Sequence, residues 1–322
     1  DSIRFWMEVY KVDGFRFDLM SLIDRETVDQ IVSLAQKINP HVLLYGEPWA
    51  AARSALPHKQ MVWKGTQKNK GFALFNDDFR NALRGGNDDK TPGYVQGNYD
   101  NKQAVETGIT GSIRFSEGRR GFTAEPEESI NYFNSHDNLI IADKLALSSH
   151  SKEDAQKNGR LLFSILMTSF GIPFFHAGNE FQRSKQMEHN SYRSPLSVNG
   201  IRWEDKKKHQ AFYHYVRDCI TLRKMLRVFS EYTAEDIRKN LSFFDRLPPH
   251  IIGYRIREKT GDSLWIFHNA GEADFTYAFP DKGEKICLFD AEGIRHQRMF
   301  SDRFTTVGKS TTVHRVTENG HE

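Results

Sequence analysis

The sequence predicts an α/β fold, a parallel sheet under helices, followed by an antiparallel β-sandwich. Three observations carry that expectation. Apolar runs of strand length alternate with helical patterns as far as about residue 227. Those runs are apolar almost throughout, as strands buried on both faces are. From about residue 228 the texture changes to short strand-like segments separated by Gly, Pro, Asp or Asn. A chain of 322 residues suits two domains, divided as 1–227 and 228–322.

Each element follows from local pattern. Residues 2–11 read as a helix, with Ile3, Trp6, Met7 and Tyr10 on one face. Gly14 interrupts, and FRFDL then reads as a short strand. Asp24 can cap the next helix, whose apolar face is Val28, Ile31, Val32 and Ala35 and which Pro40 stops. VLLYGE at 42–47 and GFALFND at 71–77 are strand-length runs, the second followed by a helical DFRNALRGG. INYFNSHD at 130–137 is a third run. A helix follows from about Ile141, and a longer one covers roughly 153–170, ended by Gly171-Ile172-Pro173. PFFHAGNE at 173–180 is one more strand, and an amphipathic helix runs from about His209 to Leu226. IIGYRIR, SLWIFHN, FTYAFP and EKICLFD are the strands expected of the second domain.

Composition narrows the function classes. Hydrophobic residues at 38% and charged ones at 27% describe a foldable chain, not a disordered one. No apolar run approaches the roughly 20 residues of a membrane helix. A net charge of +3 gives no reason to expect nucleic acid. Aromatics at 12%, including 24 Phe, suit a large core and also suit stacking on sugar rings. Cys219 and Cys287 have no metal or disulfide spacing and read as buried free thiols. His209 and His214 are five apart, off the i, i+4 metal spacing, and Lys206–Lys208 reads as a solvated helix start.

Three strand candidates share a peculiarity. Each is apolar along its length and ends in a carboxylate: FRFD at Asp18, LLYGE at Glu47, YFNSHD at Asp137. An unpaired carboxylate inside such a strand is costly to bury. At the C-terminal end of a parallel strand it reaches the face where α/β barrels keep their active sites. A solvated loop carboxylate explains any one of them; Arg16 and His136 beside two of them weaken that explanation for the set.

VDGFRFDLM, LLYGEPW and FNSHDN resemble three short stretches of the α-amylase superfamily of glycoside hydrolases, and their combination is most similar to the type I pullulanases, bacterial starch-debranching enzymes. HAGNEFQRSK at 176–185, NSYRSPLSVN at 190–199 and TAEDIRKNLSFFD at 233–245 are similar to pullulanase text as well. The resemblance implies a retaining hydrolase of α-1,6-glucosidic bonds in pullulan and branched dextrins. It implies Asp18 as nucleophile, with Arg16 on the same strand face keeping it ionised. It implies Glu47 as general acid/base, which needs a raised pKa, and a separation of about 5–5.5 Å from Asp18. Asp137 is then the transition-state stabiliser and His136 a donor to a sugar hydroxyl. Trp49 would stack on substrate, although a core tryptophan capping the barrel end is the plainer reading. Asn190 and Tyr192 would line the cleft, or be ordinary loop residues. Leu196 departs from the acidic residue expected in that loop, which puts the outer subsites in doubt.

Only about five strand–helix units precede the sandwich, where a barrel needs eight. The resemblance therefore implies strands four to eight of a (β/α)8 barrel plus the C-terminal domain, with the upstream part of the same polypeptide as a partner. The expected substrates are α-glucans, including glycogen or amylopectin limit dextrins; nucleic acid and membrane are not expected. No cofactor is required, and calcium is left open with no ligand cluster to support it. The compartment is open too. Alternatives are an isoamylase-like or α-1,4-acting relative, a glucan transferase, and a non-catalytic α-glucan-binding fragment. A part-barrel with two unpaired edges predicts low stability. Circular dichroism of this chain should show it melting below about 60 °C, and a cooperative transition above that would overturn the expectation.

Overall fold

The computed structural model describes residues 1–280 and 283–317. The chain opens on α1 (Ser2–Glu8), then β1 (Gly14–Phe17), α2 (Arg25–Ile38), β2 (Leu43–Gly46) and β3 (Ala73–Phe75). α3 (Asp77–Arg84) and α4 (Lys102–Ile109) follow, then a small ribbon of β4 (Arg114–Ser116) and β5 (Arg119–Arg120). β6 (Ser129–Tyr132), α5 (Ile141–Ser148), α6 (Lys152–Met167) and β7 (Ile172–Phe174) complete the first sheet. Five more helices lead on: α7 (Leu196–Asn199), α8 (Glu204–Lys208), α9 (Gln210–Met225), α10 (Val228–Glu231) and α11 (Ala234–Asn240).

β1, β2, β3, β6 and β7 form one parallel sheet in that order. Asp24 caps α2 as its position suggested, accepting the Thr27 N–H at 2.9 Å. Val28, Val32 and Ala35 are buried on the inner face of α2, against Leu44 and Leu74 of the sheet. The opposite face of the sheet carries Phe75, Ile130 and Tyr132, packed with Tyr45, Trp49 and Phe174. Pro173 sits in β7, a strand paired on one side only among the described residues, where its missing N–H is tolerated. The strand–helix alternation fails once. Residues 47–72 link β2 to β3 with turns and no α-helix among them, in a stretch punctuated by Pro48, Pro57 and Gly65.

A buried amide network fastens the middle of the sheet. The Asn76 side-chain amide donates to Ser112 Oγ at 2.8 Å, Ser129 Oγ at 3.1 Å and Asn131 Oδ1 at 2.8 Å. Its Oδ1 caps α3 at the Phe79 N–H. Asn131 in turn donates to the carbonyls of Gly108 and Phe170. Strand β6 and helices α3 and α4 are joined by groups that are satisfied internally, as buried polar groups must be.

The remaining strands are β8 (Leu241–Phe243), β9 (Ile251–Arg257), β10 (Ser263–Asn269), β11 (Phe275–Ala278), β12 (Lys285–Asp290), β13 (Gly293–Met299), β14 (Arg303–Thr306) and β15 (Ser310–Val316). Six form an antiparallel sheet in the order β13-β12-β15-β10-β9-β8, and β11 pairs with β14 in a separate ribbon. Every residue of β10 is buried, because both faces are covered. Leu264 and Ile266 share the main core with helices α6 and α9, while Trp265 and Phe267 pack with Phe279 and Phe304 of the ribbon side.

Three readings are corrected. α6 ends at Met167, short of residue 170, because the Thr168 and Ser169 hydroxyls bond back to the carbonyls of Ser164 and Ile165. Arg223 of α9 then takes the Met167, Ser169 and Gly171 carbonyls, a basic cap on a helix C-terminus. The first helix stops at Glu8, with Lys11 left-handed at φ 57° beyond it. Both thiols are free, but Cys287 is only half-buried whereas Cys219 is buried.

The seam between α6 and the antiparallel sheet is polar at its centre. Tyr254 donates its hydroxyl to Thr168 O at 2.6 Å, and His268 Nδ1 meets Thr311 Oγ1 at 2.8 Å. His268 is fully buried, which lowers its pKa to about 3. The folded chain keeps this imidazole neutral while the unfolded chain protonates it near 6.5. Stability contributed by His268 is therefore whole above about pH 6.5 and is lost as pH falls toward 3. Urea unfolding should give about 2 kcal/mol less stability at pH 5 than at pH 7 from this group. His268→Gln should flatten that slope; an unchanged slope would show that the histidine does not set it.

Candidate active site

β1 and β2 are in register with Arg16 opposite Tyr45 and Phe17 opposite Gly46. The next residue on each strand is a carboxylate, so Asp18 and Glu47 emerge side by side at the C-terminal edge. One guanidinium joins them. Arg16 Nη1 lies 3.0 Å from Asp18 Oδ1, and Nη2 lies 2.5 Å from Glu47 Oε1. The resemblance implied Arg16 beside Asp18; its shorter contact is to Glu47.

Glu47 accepts a second bond, from the Leu19 N–H at 2.8 Å. Leu19 is left-handed at φ 42°, which turns its amide back toward β2. Gly46 permits that approach, since a Cβ there would stand 2.5 Å from Met20 Sδ and 3.0 Å from Phe17 O. Glu47 is 5% exposed. Its burial raises its pKa, against the Leu19 amide and Arg16, which lower it; Asp18 and Asp137 add to the rise. Asp18 is 66% exposed at its side chain and stays in water.

Asp137 stands elsewhere than expected. β6 ends at Tyr132, and Asp137 lies five residues on, in a loop. The strand stops because Phe133 to Leu139 are held by side chains rather than by a neighbouring strand. His136 Nε2 is 3.4 Å from Asp137 Oδ1, and both side chains are exposed. A cavity of about 320 Å³ lies between this loop and β2, lined by Glu47, Trp49, Phe75, Asp77, Arg80, Arg84, Tyr132, Asp137 and Asn138 among others. Trp49 is half-buried, tilted against Phe75 with ring centroids 6.5 Å apart. Asn190 and Tyr192 are exposed and line no part of that cavity.

Asp77 and Arg80 were missed in the sequence. Lys64 bonds Asp77 at 2.5 Å, and Arg80 Nη1 donates to the Tyr132 hydroxyl at 2.8 Å. The signal was present: GFALFND also ends in a carboxylate, and the same rule that picked out Asp18 and Glu47 picks out Asp77. Among the described residues no group of three or more His, Cys, Asp or Glu side chains is placed to hold a metal ion.

The chain is 34% identical to the pullulanase of Bacillus subtilis over 324 residues, covering 98% of this chain and 44% of that protein. The structure of Bacillus subtilis type I pullulanase complexed with maltose superposes with a TM-score of 0.92 at 32% identity, covering 98% of this chain and 45% of that one. Along nearly its whole length this chain is homologous to part of the type I pullulanases. Pullulanases are starch-debranching glycoside hydrolases of the α-amylase superfamily. The pullulanase of Bacillus acidopullulyticus superposes with a TM-score of 0.91 at 31% identity, covering 98% of this chain and 39% of that one. An isoamylase from Flavobacterium is more distant, at 23% identity over 364 residues, 88% of this chain and 44% of that protein. No family model matches the chain. The chain spans less than half the length of these curated pullulanase and isoamylase relatives.

The shared guanidinium makes a prediction. Removing it by Arg16→Met takes a positive charge from beside Glu47, so the Glu47 carboxyl should titrate at higher pH than in the parent chain. Carbon-13 titration of glutamate carboxyls reads this directly. A Glu47 that titrates unchanged, or lower, would remove Arg16 from the electrostatics of the site.

Proposed function

We propose that this chain carries the catalytic side chains of a debranching hydrolase that cleaves α-1,6-glucosidic bonds in pullulan and branched dextrins with retention. The supporting observation is one arginine bonded to two carboxylates at the ends of adjacent parallel strands, one carboxylate buried and one in water. Environments that differ in this way divide acid from nucleophile. The fold proposed with it is strands four to eight of an eight-stranded barrel in residues 1–227, with a β-sandwich in 228–322.

In the first half-reaction the Glu47 carboxyl gives its proton to the glycosidic oxygen. Asp18 Oδ bonds to the anomeric carbon as the bond to the leaving glucan breaks. In the second half, the Glu47 carboxylate takes a proton from water, the water oxygen bonds to the anomeric carbon, and Asp18 departs. Two inversions retain the configuration. Asp137 faces the developing oxocarbenium ion, His136 donates to a sugar hydroxyl, and Trp49 stacks on a ring across the cavity. Asn190 and Tyr192 would meet only outer sugars. The proposed ligands are α-glucans, as in the pullulanase of Paenibacillus barengoltzii, solved with maltotetraose and with maltohexaose. No cofactor enters either step.

A second reading has its own support. Asp137 is 68% exposed at its side chain, and the chain spans under half of its relatives. The exposure of Asp137 favours a chain that binds α-glucan without turning it over. Incubation with pullulan, with products resolved by chromatography, separates the two. Maltotriose should appear, and Glu47→Gln should lower its rate by at least about 100-fold. Panose would mean α-1,4 cleavage instead. No product, with retarded migration in a pullulan-containing gel, would select the binding reading.

A further inference from the structure

The loop that carries His136 and Asp137 is clamped from beneath by an arginine with no acidic partner. Arg84 is the last residue of α3 and 1% exposed. Its Nη1 donates to Phe133 O at 3.1 Å and to Leu139 O at 3.3 Å. Those carbonyls are the two ends of the same loop. Nη2 donates to Asn87 O at 3.0 Å and to Asn87 Oδ1 at 3.3 Å. Among the described residues no carboxylate forms an ion pair with Arg84 within 4.0 Å, and Nε has no partner. Burial lowers its pKa to about 10, so it is still charged at neutral pH.

Burying an unpaired guanidinium is expensive, and carbonyl dipoles are its compensation here. A fold that needed only apolar packing at this point would be served by a methionine or leucine. The planar fork does something those residues cannot: one nitrogen bridges both stems and the other holds the turn after α3. Two other contacts act on the same loop. Asp88 accepts Asn138 Nδ2 at 2.7 Å and the Leu139 N–H at 2.8 Å. Lys185, itself buried, donates to His136 O at 3.0 Å. The loop therefore has a fixed stem under an exposed tip.

We propose that Arg84 is a positioning residue: by closing the Phe133–Leu139 stem it sets where Asp137 stands in the lining of the cavity that Glu47 shares, and with it the neighbouring His136. Its kinetic consequence rests on the hydrolase reading above, whereas the clamp does not. An Asp137 that acts chiefly in the transition state loses rate, rather than ground-state binding, when it is displaced.

The test is Arg84→Met and Arg84→Lys in the full chain, with two readouts. Amide exchange at 134–139 should quicken at least tenfold in both, since lysine restores charge but not the fork. Exchange in β9, β10 and β15 should stay unchanged, which separates a local release from general unfolding. On pullulan, kcat should fall about tenfold or more with KM within twofold of the parent. Should Arg84→Met not fold, Asp88→Ala opens the same stem from the exposed side, with the same readouts. Unchanged exchange at 134–139 overturns the proposal, as does full recovery by lysine. Quickened exchange in variants of a parent chain without hydrolysis would sustain the clamp and tell against the reaction.

Discussion

The site depends on one constraint: a single guanidinium must reach two carboxylates on neighbouring strands. Parallel pairing of β1 with β2 meets it, because the register puts Phe17 opposite Gly46 and so delivers Asp18 and Glu47 together. A slip of one residue would turn Arg16 to the other face of the sheet and leave Glu47 buried without its cation. The packing beneath the strands enforces the register. Met20 fills the space left by the missing Cβ of Gly46, and Leu44 and Leu74 bury against α2. Chemistry at the strand ends is thus set by apolar contacts a few residues away.

Charge inside this protein is managed by backbone more than by ion pairs. Arg84 is buried and Arg223 half-buried, and both spend their donors on carbonyls, at a loop stem and at a helix C-terminus. Burial lowers both pKa values to about 10, which leaves both charged at neutral pH. Glu47 follows the same rule with the opposite sign, since a backbone N–H shares it with Arg16. Exposed pairs such as Arg4 with Glu8 contribute little by comparison.

Much of this was legible in the sequence, and the limits have physical causes. All five parallel strands were visible because each lies in a mainly apolar run of strand length. Asp24 was legible as a cap because capping is local. Asp137 was misplaced at a strand end because nothing in YFNSHD marks where pairing stops; Arg84, Asp88 and Lys185, distant in sequence, decide that. The contacts of the Asn76 side-chain amide were invisible for the same reason, Ser112, Ser129 and Asn131 lying 36 to 55 residues away. Asp77 was overlooked although its signal was local. The Cys287 strand pattern implied burial, but β12 has the outermost strand β13 on one side and only part of its face is covered.

The difference between the two strand-end carboxylates is a consequence of topology. β1 pairs with β2 alone among the described strands, whereas β2 has β1 on one side and β3 on the other. Among the described strands a residue leaving β1 has a neighbour on one flank, and a residue leaving β2 is walled on both. Asp18 is 66% exposed at its side chain and Glu47 only 7%, although both are bonded to the same arginine. Arg16 therefore does not distinguish them; desolvation does, and it acts on Glu47, whose pKa is raised with burial as the leading cause. A strand paired along the open edge of β1 would reduce the water around Asp18, and Arg16 would then have to offset a desolvation cost that it does not meet in this chain.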